Sequence, residues 1–224
     1  MNFPYPLLGA GWYFAAWALW LPLFILAVLH APWKSLASET GAARLNVWMG
    51  MVVLLVLFWS MKAGVKPGLD LHLTGIMLFI LVFEAPLAFV GLNLVLLGVT
   101  LNGALVWQSF ALNALMTAGV GVAIAHLIHK GVDAFCPRHF FIFIFLKGFF
   151  GAALVVIGIG LAACLLYGVA GVYAWGYLGE EYLPYYLLLG FSEAWLSGML
   201  LTIMAVYYPD WVATYDQHIY LDGK

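Results

Sequence analysis

Residues 71–100 read LHLTGIMLFILVFEAPLAFVGLNLVLLGVT. The stretch contains no lysine or arginine and a single carboxylate, Glu84. As one straight helix, rising about 1.5 Å per residue, it would be about 45 Å long, well beyond a hydrocarbon layer of about 30 Å. Pro86 breaks that reading. It has no N–H to donate, and its ring disfavours helix at Ala85. The run is therefore read as two short helices meeting at Phe83–Pro86, in a tight hairpin or re-entrant corner. Such a corner is tolerated at membrane depth only where protein or a polar cavity surrounds it. The stretch therefore predicts a polytopic membrane protein.

The rest of the chain agrees. Of 224 residues, 66% are hydrophobic and 8% charged. Soluble domains average about 45–50% and about 25%. So few charges cannot furnish a water-facing surface, which excludes a soluble enzyme, a nucleic-acid binder and a disordered tail. The net charge of −2 gives no reason to expect a polyanionic partner. Cys136 and Cys164 do not make a disulfide framework, and no CxxC suggests zinc.

Further apolar runs cover about Leu7–Leu29, Leu45–Met61, Ala104–Ile128, Phe140–Val169 and Tyr185–Val206. Asn102 and Gly103 mark a turn, Lys130–His139 is read as a polar loop, and a tilt or a break near Gly158–Gly160 would accommodate the long sixth run. The first run has no basic residue before it and Lys34 after it, the reverse of a cleaved signal peptide. The expected fold class is all-α: one integral membrane domain over residues 1–224, with about seven transmembrane helices, or six as the alternative. Seven crossings with the N-terminus outside put Lys34, Arg44, Lys130, Arg138 and Lys224 inside, and Lys62 and Lys66 outside. That distribution follows the positive-inside rule.

Ionisable residues inside lipid are functional candidates by default. His72 is the sharpest, in Gly68-Leu-Asp-Leu-His-Leu-Thr-Gly75 at the start of the third helix, because imidazole is a common ligand for nickel, cobalt, zinc and copper. Asp70 could orient His72 if it lies before the helix begins. Glu84 stands at the hairpin corner. Glu193 lies deep in the last helix, where a carboxylate needs a partner on another helix, a partner subunit or a ligand. Lys147 is close enough to the inner face to snorkel to the headgroups. His126 and His129, three apart, share a helix face. Neither GxxxxGK[ST] nor HExxH occurs, so the chain has no P-loop of its own. A haem protein would need axial histidines at one depth. His72 and His126 fall toward opposite faces.

Several segments together resemble the CbiM/NikM type of permease from energy-coupling-factor transporters. They are His72-Leu-Thr-Gly75, Leu112-Asn113 followed by Gly119 and Gly121, and Glu193-Ala-Trp-Leu-Ser-Gly198. A proteobacterial branch of predicted permeases is closer still, through Pro67–Gly75, His139–Phe145, Phe149–Ala152, Glu181–Pro184 and Trp211–Asp216. The resemblance covers nearly the whole chain. It implies a seven-helix, non-enzymatic substrate-capture subunit of the bacterial inner membrane with an outward N-terminus. Such a subunit takes up a divalent transition metal, cobalt or nickel, as substrate, has no covalent cofactor, and works with a coupling transmembrane subunit and ATPase subunits. The family's metal is held by the N-terminal amine, the second residue and a later histidine. Those positions here are Met1, Asn2 and His72, with Asn2 where the family has a histidine. Asp70, Glu84, Asn113 and Glu193 complete the polar candidates. An accessory subunit that kept the fold without transporting is the alternative.

Overall fold

The computed structural model describes residues 3–37, 41–61, 63–64 and 66–220, with the backbone alone at 41–42. Six helices among them are long and apolar enough to cross a membrane. They are α1 (Ala10–His30), α2 (Gly41–Ser60), α3 (Ile76–Leu101), α4 (Trp107–Phe135), α5 (Phe140–Val169) and α6 (Trp175–Tyr207). A two-stranded hairpin, β1 (Ala63–Gly64) with β2 (Asp70–Leu71), precedes α3.

The centre of the molecule is α3, and it is broken where its sequence predicts. Glu84 has φ 64° and ψ 165°, outside any helical conformation. The arms on either side fold back on each other. A Cβ on Gly91 would lie 2.5 Å from the Phe79 ring, although twelve residues of straight helix would separate the two by about 18 Å. Glycine at 91 is what permits that approach. Residues 76–83, the first arm, are buried throughout.

Breaking a helix inside a membrane protein leaves carbonyls without partners, and burial makes that costly. The Val82 carbonyl cannot be met by Pro86, which has no N–H. Ala213 N–H donates to it at 3.0 Å instead. The Leu81 carbonyl accepts from Thr214 N–H at 3.2 Å and Thr214 Oγ1 at 2.7 Å. The segment after α6 thus caps the first arm.

Indole donors fasten the second arm, 85–101. Trp20 Nε1 donates to Asn93 Oδ1 at 2.7 Å, and Trp48 Nε1 to the Leu87 carbonyl at 3.2 Å. These tie α1 and α2 to α3. The extensive packing of α5 on α6 closes the bundle.

Several boundaries differ from the sequence expectation. His72 is not in a helix; residues 72–75 form an irregular loop and α3 begins at Ile76. Lys130 to Phe135 continue α4, leaving only residues 136–139 as the loop. No break occurs at Gly158–Gly160; the irregularity in α5 is a π-helical stretch at Phe143–Phe150. Lys147, in that stretch, does not reach the headgroups. It is 1% exposed, and its ammonium donates to Asp133 of α4 at 2.5 Å and to Tyr220 Oη at 3.3 Å. A buried cation must be paired, and the nearby carboxylate outcompetes snorkelling. Burial and the neighbouring Asp133 charge push the Tyr220 pKa up, so its hydroxyl remains a donor to Asp133.

Removing one cap of the first arm tests this account. Thr214→Val deletes the Oγ1 donor to Leu81 and should destabilise the protein by about 1 kcal/mol. Thr214→Ser should retain most of that stability. Thermal unfolding of the two variants in one detergent distinguishes them.

Candidate functional site

The loop between α2 and α3 folds onto the N-terminal segment and the α5–α6 connection. Gly68 takes φ 80°, and a Cβ there would lie 2.3 Å from Tyr167 Oη and 2.8 Å from Leu7. The Tyr167 hydroxyl donates to the Gly68 carbonyl at 2.9 Å, and the Tyr173 hydroxyl to Pro67 at 2.7 Å. Lys66 lies 3.7 Å from the centre of the Tyr177 ring, a cation–π contact.

His72 follows this anchored turn. It is 5% exposed, and its ring lies 5.0 Å from that of Trp59. Its Nδ1 is 3.1 Å from the Leu73 carbonyl. A carbonyl only accepts, so this bond puts a proton on Nδ1; in the neutral ring Nε2 then carries the lone pair, the form in which imidazole ligates metals. Trp59 Nε1 donates to the Thr74 carbonyl at 3.2 Å, fixing the chain just beyond.

Glu193 holds the other side of the loop. Its carboxylate accepts from Thr74 N–H at 2.8 Å, Thr74 Oγ1 at 3.1 Å and Gly75 N–H at 2.5 Å. It is 1% exposed. Three donors and the positive end of the arm at Ile76 offset the cost of burying its charge. Gly75 makes the fit feasible: its φ is 64°, and a Cβ would lie 2.6 Å from Leu55. Glu193 therefore shapes the backbone carrying His72 rather than standing as an isolated charge. Asp70 lies in β2, ahead of the helix, as an orienting role requires.

Asn113 performs a similar task for the N-terminal segment. Its Oδ1 accepts from Phe3 N–H at 2.8 Å, and its Nδ2 donates to the Phe3 carbonyl at 3.2 Å and to Ser109 at 2.8 Å. One amide thereby satisfies both backbone groups of residue 3. The Phe3 ring lies 5.1 Å from that of Tyr167, the residue bonded to Gly68, so the N-terminal segment and the His72 loop share one support. Met1 and Asn2 lie outside the described residues, as do Lys62 and Lys224.

Glu84 is not part of this site. It lines cavities with His129, Asp133 and Arg138, beside the segment that caps the far end of the first arm. His126 lines one of the same cavities. Among the described residues, no group of three or more His, Cys, Asp or Glu could hold a metal ion. Sequence reasoning missed Trp59 and Tyr167. Tyr167 had a usable signal, because a tyrosine inside an apolar run needs a partner for its hydroxyl.

The chain is thus a mainly helical, multi-pass membrane bundle with a buried imidazole on a loop clamped beside the N-terminal segment. The chain belongs to the CbiM family, the cobalt uptake substrate-specific transmembrane region, whose model matches residues 2–211. No curated protein and no solved structure matches it. The family is a transport component.

Replacing Glu193 should loosen this loop specifically. Glu193→Gln sets an amide donor against backbone N–H groups and should cost about 1–3 kcal/mol. Hydrogen exchange at the Thr74 and Gly75 amides should accelerate while the amides of α5 stay protected. In the same experiment Asn113→Leu should accelerate exchange at Phe3.

Proposed function

We propose that this protein is the substrate-capture permease of an energy-coupling-factor transporter of the bacterial inner membrane, and that its substrate is a divalent transition metal, cobalt or nickel. The two arms of α3 would count as separate membrane-inserted segments, making seven in all. The N-terminus would lie outside, with Lys130 and Arg138 on the cytoplasmic face. His72 would supply the imidazole ligand through Nε2. Met1, through its amine, and Asn2 would complete the set from the neighbouring N-terminal segment. The observation that most supports this reading is the shared support of that segment and the His72 loop, through Phe3, Tyr167 and Gly68.

In this reading Glu193 and Asn113 are positioning residues. Glu193 would keep the His72 backbone in place before the metal arrives, which lowers the ordering cost of binding. Asn113 would do the same for residue 3. Asp70 would orient the imidazole. The chain has no P-loop, so energy would come from separate ATPase subunits acting through a coupling membrane subunit. Their action would pass the ion inward.

Metal binding by the purified protein with its natural N-terminus intact tests the proposal. Wild type should bind about one cobalt or nickel ion per chain. His72→Ala should weaken binding at least about tenfold, a loss of about 1.4 kcal/mol. A wild type that binds no more metal than His72→Ala would remove metal capture and leave the accessory-subunit reading.

A further inference from the structure

On the side of the molecule away from His72, three cavities share walls. The first is a groove of about 730 Å³ between α1, the start of the second arm of α3 and the middle of α4. Its walls are apolar side chains, with His30 and His126 as the ionisable exceptions. The second, about 150 Å³, shares Ala85, Pro86 and His126 with the groove and adds Glu84, His129 and Lys130. The third, about 200 Å³, shares Glu84, His129 and Thr214 with the second and adds Arg138, Tyr215 and Asp216. A long apolar track thus opens into a charged pocket.

The change of polarity coincides with the ends of two spanning helices. His30 is the last residue of α1, and Lys130 lies in the last two turns of α4. With α1 and α4 as membrane spans, as the proposed function has them, these ends would put the pocket at the headgroups and the groove in the hydrocarbon layer.

The pocket carries both signs of charge, and only part of it is paired, Asp133 with Lys147 and His129. Among the described residues, Glu84, Lys130 and Arg138 make no hydrogen bond or ion pair through their side chains. Glu84 is also the chain's one non-glycine residue with positive φ among those described. Glycine would take that backbone without strain, yet a carboxylate is kept there. The Tyr215 hydroxyl lines the pocket with no hydrogen-bond partner among the described residues, although Tyr215 is 7% exposed.

We propose that this track is a binding site for an amine-headed phospholipid. One acyl chain lies in the groove, the ammonium meets Glu84, and the phosphate meets Lys130 and His126, which line one cavity with Glu84. Charge complementarity selects the occupant. A phosphatidylglycerol headgroup satisfies the cations but leaves Glu84 facing an added negative charge. A choline headgroup has no N–H to donate to Glu84. A purely apolar partner helix would leave the charged pocket unanswered. The proposal does not depend on what the His72 site captures.

Native mass spectrometry of the full chain tests it, with phosphatidylethanolamine, phosphatidylglycerol and phosphatidylcholine offered at equal mole fraction. Wild type should retain phosphatidylethanolamine about tenfold over the other two, as expected of one charge-assisted contact. Glu84→Gln should reduce that preference to about twofold or less. Lys130→Gln, at an exposed position that should not affect folding, should lower phosphatidylethanolamine retention several-fold. Ala123→Phe, projecting from the groove wall, should reduce retention of all three lipids alike. No headgroup preference in wild type, or a preference unchanged by Glu84→Gln and Lys130→Gln, overturns the proposal. So does cross-linking of Ala123→Cys to a partner membrane helix together with absence of retained lipid, which would make the groove a helix-docking face.

Discussion

A helical arm of eight residues, 76–83, ends at both sides inside the protein, and its terminal N–H and C=O groups must find partners there. Water is not available to a fully buried segment, and each unmet group costs on the order of 1–3 kcal/mol. The architecture around the arm follows from this demand. Glu193 of α6 meets the N–H groups of Thr74 and Gly75, the two residues that lead into the arm. Ala213 and Thr214, just past the end of the same helix, meet the carbonyls at its finish. One element, α6 with its following turn, therefore holds the arm at both ends. Because residues 72–75 lead directly into the arm, the position of His72 is set by the same contacts.

This explains why so apolar a chain keeps a carboxylate in its last helix. Glu193 is surrounded by donors, and its charge is aligned with the positive end of the arm. It also explains the division of labour among the polar residues. Glu193, Asn113 and Tyr167 bond to backbone and define where loops run. Lys147, Asp133 and Tyr220 bond to one another and fasten Tyr220 to α4 and α5. That leaves a single buried imidazole beside the N-terminal segment, consistent with membership of a cobalt uptake family and with a substrate site assembled from few groups.

Much of this was legible in the sequence where the signal was local. Pro86 disclosed the break in α3 because a missing N–H acts on its own helix. The apolar runs disclosed the spans because lipid imposes length and composition directly. His72 stood out because an ionisable side chain at the border of an apolar run is a functional candidate by default. What the sequence concealed were partners distant along it. Nothing near Glu193 indicates that its donors are Thr74 and Gly75, and nothing near Leu81 indicates that Thr214 caps it. Lys147 was misread for that reason: its depth suggested snorkelling, but Asp133, read as loop, lies on a helical turn of α4 facing it. The irregular stretch before Ile76 escaped notice because Leu71 and Leu73 continue the apolar pattern into a loop whose geometry Gly75 and Glu193 dictate.

His72 is proposed as the imidazole at the substrate site. X-ray absorption of the cobalt-loaded protein, with its natural N-terminus, tests it most directly. The account predicts a first shell containing one imidazole per cobalt, whose multiple-scattering signature disappears in His72→Gln. A shell of oxygen ligands without imidazole, or an imidazole signal that survives His72→Gln, would contradict it.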